Sequence, residues 1–150
     1  MFLQLLRTLS APEAKPPTDL RLAVAVLLIE AAYRDDFFQP EERDVIFRLL
    51  QHKFALTSEE TSALISAAEQ AYRQSVQLHP WTNAVAEQMT AEARIGLVEM
   101  MWEVAYADGV LDPEEDALIR RMVNLIHISD RDRMLARQRV LARRQGGGTP

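Results

Sequence analysis

Part of this chain is written twice. At an offset of 73 residues, Arg21 to Leu50 aligns without a gap on Arg94 to Val123, and ten of the thirty positions are identical. They are Arg21/Arg94, Glu30/Glu103, Ala32/Ala105, Tyr33/Tyr106, Asp35/Asp108, Pro40/Pro113, Glu41/Glu114, Glu42/Glu115, Ile46/Ile119 and Arg48/Arg121. Most other positions trade one apolar residue for another, as in Leu22/Ile95, Leu27/Met100, Leu28/Met101 and Leu49/Met122. Repetition of this kind means that each copy is one supersecondary unit, and that the fold must seat both.

Each copy reads as helix, short loop, helix. Leu22 to Arg34 is apolar nearly all round, the pattern of a helix buried inside a bundle. Pro40-Glu41-Glu42 opens a second helix, since proline suits the first turn and glutamates favour the positive end of the helix dipole. In the second copy Asp112 is an N-cap, Pro113 the first helical residue, and Glu115 completes a capping-box-like arrangement. Gly109 suits a left-handed residue ending the preceding helix. A third helix follows in each copy, capped at Thr57-Ser58-Glu59-Glu60 and at Ser129-Asp130-Arg131-Asp132. The latter precedes an apolar set of Met134, Leu135, Leu141 and Ala142. After a break at Leu78-His79-Pro80, Trp81 to Met89 forms a short helix, and Thr90 caps the next long one. Strand-like alternation and Asn-Gly turns are missing from the sequence. The expected fold is an all-α single-domain bundle of seven or eight helices with an internal pseudo-two-fold.

With 150 residues, 48 % of them hydrophobic, the chain is one ordinary domain. A short helix docking Phe2, Leu5, Leu6 and Leu9 and a Pro-containing linker fill 1–17, the helical domain takes 18–145, and 146–150 is a flexible tail. The N-terminus lacks the basic region and cleavage site of a signal peptide, and the longest apolar run, Leu22 to Ile29, is too short to span a bilayer. The chain therefore reads as cytoplasmic, without a transmembrane segment. The net charge of −5 is unevenly spread: Met1 to Ile128 carries −9, and Ser129 to Pro150 carries +4 with six arginines. An acidic body argues against nucleic acid as partner. The basic stretch reads first as a solvated helix offsetting the acidic body, and second as a contact for an acidic partner or an anionic membrane surface.

Zero cysteines exclude disulfides, thiolate metal sites and a cysteine nucleophile. His52, His79 and His127 share no metal spacing, and His127 reads as a favourable contact at a helix C-terminus. There is no Walker loop, nucleophile elbow or dinucleotide fingerprint. Two sets of acidic groups remain. Asp35 and Asp108 fall at the C-terminal end of a helix, where a carboxylate opposes the dipole. Either they cap the next helix, or they join neighbouring carboxylates and backbone carbonyls in holding a hard cation, Ca²⁺ or Mg²⁺. The ligand set would be Asp108, Asp112 and Glu115 in the second loop, and Asp35, Asp36 and Glu42 in the first. The second loop is favoured, because Gly109 lets the backbone turn where the first copy has Asp36. Glu30 and Glu103 form the other pair, each in an apolar stretch with Tyr33 or Tyr106 three residues on as a hydrogen-bond partner. The same glutamates, with Asp108 and nearby tyrosines, would be the carboxylate acid/base site of an enzyme if they converged between the two copies.

The string Val104-Ala105-Tyr106-Ala107-Asp108-Gly109-Val110-Leu111-Asp112-Pro113-Glu114-Glu115, with its fainter echo at Ala31 to Glu42, resembles the TerB (tellurite resistance protein B-like) family. The resemblance covers roughly Thr18 to Arg144, and the Ala-Asp-Gly loop with paired glutamates is its most specific piece. The first copy departs from the pattern at Arg34 and Asp36, which weakens it as a binding loop. The resemblance implies an all-α TerB-like fold and an association with bacterial resistance to tellurite and other stresses, beside membrane-linked protein partners. It implies divalent-cation binding by acidic residues and brings no enzymatic activity. The expected function is a non-enzymatic module acting through protein partners.

Overall fold

The computed structural model describes residues 19–32, 39–75, 77–107, 109, 111 and 113–147. Within them lie seven helices and no strand. In chain order these are α1 (Leu20–Ala32), α2 (Pro40–Phe54), α3 (Ser58–Gln74), α4 (His79–Gln88), α5 (Ala91–Ala105), α6 (Pro113–Leu125) and α7 (Asp130–Gly147). The short N-terminal helix expected around Phe2 to Leu9 lies outside the described residues.

The apolar run of α1 determines the architecture. Ala23 through Ile29, Ala31 and Ala32 are all buried, so this helix has no solvent face to offer and must be surrounded. It packs against α2, α3, α4, α5 and α6. The second long apolar helix, α5, buries Leu97, Val98, Met100, Met101, Trp102, Val104 and Ala105, and packs against α1, α2, α6 and α7. Burying a side chain the size of Leu or Ile contributes about 1.5–3 kcal/mol, so these two helices dominate the core. Amphipathic α3 and α7 each cover one of them: α3 lies on α1, and α7 on α5. The short α4 packs against α1 and α6.

Helix starts follow the expected chemistry. Thr57 accepts a hydrogen bond from the Glu60 amide at 3.0 Å, while the Glu60 carboxylate accepts from the Thr57 amide at 2.9 Å, a complete capping box. Thr90 caps α5 by accepting from the Ala93 amide, and Ser129 caps α7 by accepting from the Asp132 amide. Pro40 and Pro113 open α2 and α6. The helix placed at Trp81 to Met89 begins earlier, at His79, because Pro80 sits in its first turn rather than breaking the chain.

Helix ends differ from the expectation. Ala55 (φ 52°) and His127 (φ 63°) adopt the left-handed conformation that closes α2 and α6. The following amides, of Leu56 and Ile128, donate to the carbonyls of Gln51 and Val123. This is the Schellman closure usually given to glycine. His127 is thus a left-handed residue at the C-terminal end of α6. Arg94 supplies a further cap to α6, donating to the carbonyls of Ile126 (2.7 Å) and His127 (3.4 Å). Arg21, its counterpart in the sequence repeat, instead pairs with Asp19. Met134, placed on the apolar face of α7 by its spacing, is 38 % exposed; the buried stripe of that helix runs through Arg133, Ala136 and Val140.

Candidate functional site

Of the six acidic residues singled out as cation ligands, Asp35, Asp36, Asp108 and Asp112 lie outside the described residues, as do Phe37, Phe38 and Val110 of the same loops. What the structure places is the frame on either side. Gly109 has φ +88°, and its amide donates to the Tyr106 carbonyl at 2.8 Å, the left-handed turn read from the sequence. Leu111 packs against the core. Glu42 and Glu115 stand in the first turns of α2 and α6, and each is only 1 % exposed. The Glu42 carboxylate accepts from the Gln39 amide at 2.8 Å, closing a capping box at the start of α2. Among the described residues, no three histidine, aspartate or glutamate side chains come together as a metal-holding group.

The two repeat glutamates find partners on other helices. Glu30, half-buried on α1, accepts a 2.6 Å hydrogen bond from the Tyr72 hydroxyl on α3. Burial pushes its carboxyl above the usual carboxylate range; the Tyr72 hydrogen bond and the positive charge of Arg121 pull the other way. Glu103 on α5 accepts from Arg143 on α7 at 3.2 Å. Tyr106, expected beside Glu103, instead accepts from Arg137 Nε at 2.8 Å. Tyr33, expected beside Glu30, lies outside the described residues. A tyrosine one turn along the same helix was the only partner that periodicity offered; α3 and α7 supply the ones described here.

The basic C-terminal stretch is engaged within the molecule. Glu99 accepts from Arg139 Nε at 2.8 Å and from Arg143 at 2.8 Å, and the hydrogen bonds from Arg143 to Glu99 and Glu103 hold its guanidinium above its usual range. The Arg137 guanidinium lies 5.6 Å from the centre of the Trp102 ring, and that of Arg144 lies 5.9 Å from the centre of the Tyr106 ring. The arginines thus offset acidic groups of the body, as the first reading of this stretch held, but on one particular helix and through named contacts.

Residues 21–138 match the family described as Tellurite resistance protein TerB. The chain belongs to the TerB family. No curated protein and no solved structure matches it. The TerB match opens at Arg21 in α1, takes in both acidic loops, and ends at Gln138, before the Arg139 and Arg143 that grip Glu99. Among the described residues of this TerB chain, no helix is long and apolar enough to cross a membrane.

Proposed function

We propose that this TerB chain is a non-enzymatic stress-response module that acts through protein partners, with its second acidic loop taking a divalent cation weakly. The observation that carries the reading is that Glu30 and Glu103 hydrogen-bond to different helices. Tyr72 on α3 engages the first, and Arg143 on α7 engages the second. A carboxylate acid/base pair needs two groups facing one substrate; here each is engaged by a different helix. Charged groups that fasten helices to one another suit a scaffold whose recognition falls to its loops. Tellurite enters through the family name alone, since reduction of that oxyanion calls for thiols or a redox cofactor and the sequence has no cysteine. A cytoplasmic location belongs to the same reading, and no helix among the described residues is long and apolar enough to cross a membrane; membrane-linked partners are suggested by the family resemblance.

For the cation, the turn at Gly109 favours the second loop over the first, where Asp36 takes the glycine position and Gln39 that of Asp112. Glu115 is buried in the first turn of α6. Asp108, Asp112 and Glu115 would be the ligands, together with carbonyl oxygens at the negative C-terminal end of α5. Affinity purification of the tagged chain from its native host, wild type beside an Asp108→Asn/Asp112→Asn variant, tests the reading. It predicts a partner retained in stoichiometric amount by wild type and depleted with the variant. The same proteins recovered equally with both would contradict it.

A further inference from the structure

The third helices of the two copies are seated by different forces. On α1, α3 buries Ile65 and Ala68, with Leu64, Ala71 and Tyr72 partly buried around them. The buried apolar side chains of α7 are Ala136 and Val140, with Leu141 partly buried beside them. The rest of its seat on α5 is guanidinium: Arg139 and Arg143 on Glu99, Arg143 on Glu103, and Arg137 on the Tyr106 hydroxyl. The sequence repeat shows the origin of the difference, because Glu99 occupies the position that Val26 has in the first copy. Arg139 and Arg143 are half-exposed, so salt screens their pairs. One donor on each of these helices is buried without a hydrogen-bond acceptor among the described residues, Trp102 Nε1 on α5 and Arg133 Nε on α7.

We propose that α7 is an ionic strap: it lifts from α5 as a unit while the other helices stay folded, and its seating holds the turn into the second acidic loop. The link to the loop is Tyr106. Arg137 and Arg144 hold its ring, and its carbonyl accepts the Gly109 amide. Lifting the strap takes the Arg137 guanidinium off the Trp102 ring and frees Tyr106.

Hydrogen exchange on the full-length protein, read peptide by peptide, tests this. Between about 0.05 M and about 1 M NaCl, the Debye length falls several-fold, and amides of α7 should exchange about tenfold faster, with the Gly109 amide following them. Amides of α1 and α3 should change by less than about twofold, because α3 is seated on α1 by apolar burial and the hydrogen bond from the neutral Tyr72 hydroxyl to Glu30, neither of them an ion pair that salt screens. Glu99→Gln should reproduce the high-salt behaviour at low salt. Exchange in α7 that ignores salt, or that rises together with α1 and α3, overturns the proposal. The wild-type salt series decides the matter even if the variant fails to fold.

Discussion

The Tyr72 hydroxyl donates to Glu30 Oε1 at 2.6 Å across 42 residues of sequence, fastening α3 to α1 through one half-buried carboxylate. Burial raises the Glu30 carboxyl above its ordinary value, so the folded state binds this proton more readily than the unfolded one. Its contribution to stability is therefore fully present below the unfolded-state value and is lost as pH rises through the folded-state value. Glu30→Gln should remove that dependence and gain most, relative to wild type, at neutral pH. Because the hydrogen bond favours the charged form, Tyr72→Phe should cost about 1–2 kcal/mol at pH 7 and less near pH 4. Urea denaturation across that range measures both, and an equal cost for Tyr72→Phe at the two ends would contradict the assignment.

Glu60 has the opposite sign. The Thr57 amide and hydroxyl hold its carboxyl below the usual range, so its contribution is present above the unfolded-state value and is lost as pH falls through the folded-state value. Thr57→Ala should cost about 1 kcal/mol at neutral pH by removing the cap, and should shrink the loss seen on acidification. Denaturation midpoints at neutral pH and in acid read the difference. A Thr57→Ala protein that loses as much stability in acid as wild type would contradict it.

The starts of helices were legible in the sequence, and the partners of charged groups were not. Thr57, Thr90 and Ser129 cap where a local pattern put them, because a cap is settled by three or four consecutive residues. Glu99 meets Arg139 and Arg143 forty or more residues on, a pairing fixed by how α7 lies on α5. The exposure of Met134 has the same origin, since the docking angle rotated the buried stripe onto Arg133, Ala136 and Val140. The left-handed ends at Ala55 and His127 were hidden because no glycine marks them. Of the candidate site, the turn at Gly109 was read correctly, but the burial of Glu42 and Glu115 was not, because both look like ordinary solvent-facing first-turn glutamates.

Those left-handed ends give a stability test. Ala55 and His127 are exposed, so replacement by glycine removes backbone strain and little else. Left-handed geometry costs a residue with a β-carbon about 1–2 kcal/mol, and the extra freedom of an unfolded glycine returns part of that. Ala55→Gly and His127→Gly should each stabilise by about 0.5–1 kcal/mol, raising Tm by roughly 1–4 °C. A fall in Tm for either would contradict the assigned geometry.

Two glycines should respond to alanine in opposite directions. A β-carbon at Gly96 or at Gly109 meets nothing within 4 Å, so backbone conformation alone decides the outcome. Gly96 is inside α5, where Gly→Ala should stabilise by about 0.5–1 kcal/mol. Gly109 has φ +88°, and Gly109→Ala should destabilise by about 1–2 kcal/mol. Chemical denaturation of the two variants beside wild type measures the signs, and two changes of the same sign would show that one backbone has been misread.

The second acidic loop is tested most directly by titrating Ca²⁺ and Mg²⁺ into the wild-type protein and into Asp108→Asn while following backbone amide shifts. The expected result is saturable movement of amides between Asp108 and Glu115 in wild type, with affinity no tighter than about 10⁻⁴ M, as in the looser calcium modules. The movement should be absent or much weakened in Asp108→Asn, and amides at Asp35 to Glu42 should respond less. Wild-type amides from Asp108 to Glu115 that stay still at about 5 mM of either ion, above the weak end of that range, would contradict a cation site and leave helix capping as the role of these carboxylates.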